Sequence, residues 1–349
     1  MFRMKKLLFS IVVLASVMAS AELVVHKEGS KVVLADSCSN AQDMIQSLSQ
    51  WTQNVKAGKG CSNLEPMTKS GSDCRYDISS CVPEHVVKYQ DAKPEVDGPN
   101  CWNLSLVMSG ILPSLRYSSP EEMHFYMRPP LCKALKDGEA RQPGDVGAIR
   151  TVSRAGVEES HGFIYISEKI AYSKNGFSQM SPYALQTMEE VMQTYDVPNK
   201  KECRKNQIDL KSDCRNAVSF YRCDSLDSYM DKHKEIPEKV RTTLKKISSA
   251  EDCISKQAFS GKSLSAEARK NISDTSKAIL AFAEEAKNSP EFNKLPKEQK
   301  NFLLGGIFYR LDAIGDQLSF SGEGSLAWET KGLTEMFGNV ASKLVKEGK

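Results

Sequence analysis

The sequence predicts an α+β protein in which a helix bearing a cysteine in its first turn packs on a small antiparallel sheet, between disulfide-rich flanks and an α-helical C-terminal region. Three observations predict it. From Cys101, the residues Leu104, Val107, Met108 and Ile111 make an apolar stripe of helical period that stops before Pro113. Three segments dense in Ile, Val, Tyr and Phe follow, RQPGDVGAIRTV, SHGFIYI and KIAYS, and read as successive short strands. Beyond residue 263 the stretches SLSAEARKNISDTSKAILAFAEEAK and LPKEQKNFLLGGIFYRLDAIGDQL are rich in helix formers with caps.

In chain order, residues 1–21 read as a secretory signal peptide. Arg3, Lys5 and Lys6 precede an apolar run from Leu7 to Val17, and Ala19-Ser20-Ala21 offers small residues for cleavage before Glu22. No later run is apolar and long enough to span a membrane, so a periplasmic or secreted bacterial protein with no integral membrane segment after signal removal is expected.

Residues 22–94 form a Cys-containing N-terminal region. ELVVHKEGSKVVLAD alternates as a hairpin, and residues 39–56 place Met44, Leu48 and Trp51 at helical spacing. YQDAKPEVDGP then leads into the core, residues 95–200. There SSPEEMHFYM signals a second helix, with Ser119 as cap, Pro120 in the first turn and Glu122 completing a capping box. Residues 201–255 are a Cys-rich connector, and 256–349 a helical C-terminal domain without a catalytic constellation.

The 47 basic and 44 acidic residues give +3, and without Arg3, Lys5 and Lys6 the balance is even, which argues against a nucleic-acid partner. The ten cysteines of an exported chain are expected to bridge. Cys38, Cys61, Cys74 and Cys81 form one group and Cys203, Cys214, Cys223 and Cys253 another. Each group can close two bridges in three ways, which leaves Cys101 and Cys132 between them. No close Cys/His pair has zinc-ligand spacing, and neither a metal nor a cofactor is expected.

Cys101 is the candidate nucleophile, because the unsatisfied N–H groups and dipole at a helix N-terminus favour a thiolate and can receive an oxyanion. His161 opens a strand that carries Phe163 and Tyr165 on the same face. If Ser167 to Lys169 form a three-residue loop, Ile166 pairs with Ile170 and counting outward sets His161 opposite Asn175, an amide able to orient an imidazole.

NCWN before a helix, QPGDV leading a strand, HGFIYIS and then SKNG resemble the papain-like cysteine peptidases, closest to the compact bacterial cell-wall hydrolases of the NlpC and CHAP types. The likeness covers roughly residues 95–198. It implies a papain-like core, Cys101 as nucleophile, His161 as general base and acid, and Asn175 as orienting residue, with Ser173 on the same face as the fallback. It also implies hydrolysis of an amide bond in a peptide or peptidoglycan substrate. Papain-type enzymes carry glutamine six residues before the cysteine; here that position is Glu95, so the side-chain oxyanion donor is unassigned. The Asp-Cys-Ser of the NlpC type is replaced by Asn100-Cys101-Trp102. Two other classes stand beside this one: a non-enzymatic, disulfide-stabilised binding or scaffold protein, in which Cys101 bridges Cys132, and an amidase or acyltransferase using the same triad on a non-peptide substrate.

Overall fold

A computed structural model describes residues 23–61, 63–153, 156–200, 203 and 214–347. The expected signal peptide lies outside them. The chain is α+β, with two antiparallel sheets flanked by helices.

The N-terminal hairpin pairs β1 (Val24–Glu28) with β2 (Lys31–Ser37), turning at Gly29, whose φ of 61° suits a residue without Cβ. Helix α1 (Cys38–Asn54) follows, capped by the Ser37 hydroxyl, which accepts from the Asn40 N–H. Strands β3 (Thr68–Ser70) and β4 (Asp73–Asp77) complete a sheet of order β1-β2-β4-β3. The bridges Cys38–Cys74 and Cys61–Cys81 stay within the first cysteine group, as expected.

This unit has no separate core. Trp51 of α1 lies 5.9 Å from the ring of Tyr172 in the second sheet. After helix α2 (Glu84–Tyr89), the Gln90 side-chain oxygen accepts from the Leu185 N–H at 3.0 Å.

Helix α3 (Cys101–Met108) begins at the expected cysteine. Asn100 caps it, its side-chain oxygen accepting from the Asn103 N–H at 3.0 Å, while its amide donates to the Ser118 carbonyl at 2.7 Å. Helix α4 (Pro120–Tyr126) is capped by Ser119. The expected capping box is only half made. The Glu122 carboxylate turns away from the cap to the buried Arg116 guanidinium, at 2.7 and 2.8 Å, because a charge-assisted bidentate pair outweighs one more bond to a backbone N–H.

The second sheet runs β5-β10-β6-β7-β8-β9. It comprises β5 (Cys132–Ala134), β6 (Val146–Ser153), β7 (Gly156–Tyr165), β8 (Ile170–Lys174), β9 (Tyr183–Thr187) and, after helix α5 (Met188–Thr194), β10 (Asn216–Cys223). Two expectations change here. A strand of the segment read as a Cys-rich connector lies inside the sheet, between β5 and β6, so the core extends beyond residue 200. The bridges are also not confined to the two outer groups. The β5/β10 register sets Cys132 opposite Cys223, and these two join, while Cys203 pairs with Cys214. Cys101 and Cys253 are left as free thiols, which removes the Cys101–Cys132 bridge. Four disulfides fit an exported protein. Among the described residues no helix is long and apolar enough to cross a membrane.

Helix α6 (Leu226–Lys232) leads to the helical layer: α7 (Glu238–Ser260), α8 (Ala266–Ala286), the single turn α9 (Pro290–Asn293), α10 (Lys297–Phe320) and α11 (Gly324–Glu347). One apolar cluster runs from Val32 through Leu104, Ile164 and Ile254 to Leu344, and so joins both sheets to these helices. A smaller cluster, with Phe163, Tyr165, Val191 and Phe220, covers the other face of the second sheet.

Candidate functional site

The site forms where the β7/β8 ladder stops. Tyr165 pairs with Ala171 and Ile164 with Tyr172, the register that a three-residue loop gives. Carried outward, it sets Gly162 opposite Lys174 and His161 opposite Asn175, beyond the last pair. The Cys101 sulfur lies at this opening, and the backbone N–H groups of Gly162, of Trp102 in its own helix, and of Gly176 all act on it. Gly162 makes the approach possible. A Cβ there would sit 2.8 Å from the Ser105 hydroxyl and 3.4 Å from the Cys101 carbonyl.

His161 follows a bulge. Ile149 pairs with His161 and Arg150 with Glu159, so Ser160 is the extra residue, and bulges re-aim the side chains beside them. Because Gly162 faces α3, strand alternation sends the imidazole to the opposite face with Phe163 and Tyr165. There the Tyr195 ring, just past the end of α5, stacks on it with centroids 3.9 Å apart. Both ring nitrogens are buried without a hydrogen-bond partner among the described residues, and so is the Asn175 side-chain oxygen. The register sets His161 and Asn175 opposite one another, with Cys101 beside Gly162 on the other face of the sheet, and no hydrogen bond links the three among the described residues. Ser173, the fallback for Asn175, is taken by the Gln186 amide, which donates to its hydroxyl.

Sequence reasoning passed over two further residues. Lys174 is fully buried, and its Nζ donates to the carbonyls of Gly176 at 3.2 Å and Ser178 at 2.8 Å, curling the loop back so that Gly176 faces the sulfur. A lone lysine between Ser173 and Asn175 reads as a solvated edge, and only the curl of the following loop turns it inward. Tyr195 comes from more than 30 positions beyond His161 and carries no local signal. Glu95, in the position of the family's glutamine, packs against Gly261 at the end of α7, and its N–H donates to the Ala258 carbonyl.

Electrostatics reverse one expectation. A helix N-terminus alone would depress the Cys101 thiol pKa. Here burial pushes it up, and the three N–H groups and the Lys174 charge do not offset that. Burial pushes Lys174 down to about 8, against the pull of Cys101 and Asp97. Burial alone holds His161 down to about 3. The resting site is a neutral thiol and a neutral imidazole.

No protein-family model, curated protein or solved structure matches the chain. What the site can do follows from its own geometry.

The imidazole gives a prediction with a definite sign. Between about pH 3 and its ordinary value of 6.5, the unfolded chain protonates His161 and the folded chain does not. Acid therefore favours unfolding, and stability should fall by about 1.4 kcal/mol for each pH unit lost across that window. His85, which burial chiefly holds down to about 4, contributes with the same sign. Denaturant titrations of His85→Phe with and without His161→Phe should differ in that slope. An identical slope would mean that His161 is not buried and neutral in solution.

Proposed function

We propose that the protein is an exported papain-like thiol hydrolase that cleaves an amide bond in peptide or peptidoglycan substrates of the bacterial periplasm or cell surface. Cys101 is the nucleophile, His161 the general base and acid, and Asn175 the residue that orients the imidazole. The observation that carries this reading is a free thiol in the first turn of a side-chain-capped helix, packed against Gly162 next to His161, where the other buried cysteines are all bridged. The unpaired nitrogens of His161 and the unpaired oxygen of Asn175 are a second support, since buried polar atoms are nearly always bonded and the exceptions call for a reason. Catalytic hydrogen bonds are often open before substrate arrives and tighten in the complex.

The reaction balances simply. The sulfur adds to the carbonyl carbon as its proton passes to the imidazole, the carbonyl oxygen takes the displaced electron pair, and the amine leaves with that proton. Water then hydrolyses the thioester.

One observation favours the alternative, a non-enzymatic exported binding or scaffold protein: the thiol is only 2% exposed and bonded to no imidazole. Incubation with purified cell-wall sacculi, followed by mass spectrometry of the soluble fragments, separates the two. The hydrolase releases fragments with new amino termini. Sacculi left whole, together with a Cys101 that no activated acyl donor labels, would leave the scaffold.

A further inference from the structure

Cys253 is the second free thiol and, unlike Cys101, it is partly exposed. It lines a cavity of about 410 Å³ between the last turns of α7 and the first turns of α8. The Asn271 amide of α8 donates to the Cys253 sulfur at 3.7 Å and to the Ser249 hydroxyl at 3.2 Å, which holds the thiol at the cavity wall. Gln257, one turn further along the same face of α7, lines the same cavity. It is only 6% exposed, yet its side-chain oxygen has no hydrogen-bond partner among the described residues. A buried acceptor left open beside a free thiol calls for an N–H from a bound molecule. Three charges complete the lining: Lys256, loosely paired with Asp252 at 3.9 Å, Lys262 and Glu267. Two cations and one anion suit a ligand that carries two carboxylates and one ammonium.

We propose that Cys253 is a modification site, at which this cavity receives a small peptide thiol and holds it as a mixed disulfide. The peptide supplies an N–H to Gln257, carboxylates to Lys256 and Lys262, and an ammonium to Glu267. In an oxidising compartment such a thiol arrives as its own disulfide, which is the oxidant of the step. The Cys253 sulfur attacks one sulfur of that disulfide, the bond to the other sulfur breaks, and the displaced thiolate takes up the proton that Cys253 has lost. The product is a capped Cys253, which can no longer attack the four bridges of its own chain. The site is independent of any reaction at Cys101.

Two disulfides of different chemistry test this on the full chain. Oxidised glutathione carries the carboxylates, the ammonium and the peptide N–H groups, whereas hydroxyethyl disulfide carries none of them. Each is incubated with the protein, the reaction is stopped with acid, and the Cys253 peptide is quantified by mass spectrometry. Dividing each rate by that of a neutral small thiol, N-acetylcysteinamide, removes the difference in intrinsic reactivity between the reagents. Wild-type Cys253 should then prefer oxidised glutathione by about tenfold, the sum of one hydrogen bond and a few exposed ion pairs. Gln257→Leu and the double variant Lys256→Gln with Lys262→Gln should each cut that preference about threefold, and salt should weaken it in the wild type. Equal corrected rates for the two reagents would make Cys253 merely an exposed thiol and overturn the proposal. So would a Cys253 that neither reagent labels, or a preference that both variants keep in full.

Discussion

Cys101→Ala should abolish hydrolysis, with turnover on cell-wall peptides falling by something on the order of 10⁶, since loss of the nucleophile removes the covalent route altogether. Its cost in stability should be small, about 1 kcal/mol, because the change leaves a space no larger than one sulfur in a buried site with no bridge to lose. That split is the informative part. A thiol kept for packing would lose stability and no activity. Alkylation of the resting protein adds a second reading of the same residue. As burial holds the thiol pKa up, Cys101 should react slowly with iodoacetamide at pH 6 and faster as the pH rises. Rapid labelling at pH 6 would show that the site is open in solution and that the helix N-terminus prevails over burial there.

The parts of this site that could be read from the sequence are those fixed by local geometry. The apolar stripe from Leu104 to Ile111 placed Cys101 in a first helical turn, and the loop after Ile166 fixed a register that aims Asn175 at His161. Both depend on neighbours close in sequence, at most 14 positions apart. The Cys132–Cys223 bridge could not be read, because it follows from β10 entering the sheet beside β5, 91 residues away in sequence. Tyr195 was hidden for the same reason, since it meets His161 only through the return of α5 along the sheet. The thiol pKa failed differently. Dipole and N–H groups are visible in a sequence, but the desolvation that outweighs them depends on how the whole chain closes over the sulfur. The C-terminal helices were legible as helices, yet nothing in them announced what they do for the site.

What they do is the basis of the largest stability effect expected away from Cys101. Glu251 of α7 accepts from Arg116 at 2.8 and 3.0 Å and is also bonded by Arg310 of α10, while Arg116 holds Glu122 of α4. All four side chains are buried. Burial pushes the Glu251 carboxyl up, but the two guanidiniums outweigh it and hold it below the usual carboxylate range. Glu251→Ala would leave Arg310 without a carboxylate in a buried setting, and breaking such a pair costs about 3–5 kcal/mol, a large share of the roughly 5–15 kcal/mol of an ordinary fold. The damage should reach the site. Arg116 donates its backbone N–H to the Asn103 side chain at 2.9 Å, and the Ser118 carbonyl beside it accepts from the Asn100 cap. Loosening that loop loosens the turn that carries Cys101. Denaturant midpoints of Glu251→Ala measure the first effect, and the rate of Cys101 alkylation measures the second. Glu251→Leu combined with Arg310→Met should recover part of the loss, because a buried pair replaced by apolar residues of similar volume is often neutral. A loss below about 1 kcal/mol in the single variant would show that apolar packing, not this ion cluster, ties the helical layer to the helix of Cys101.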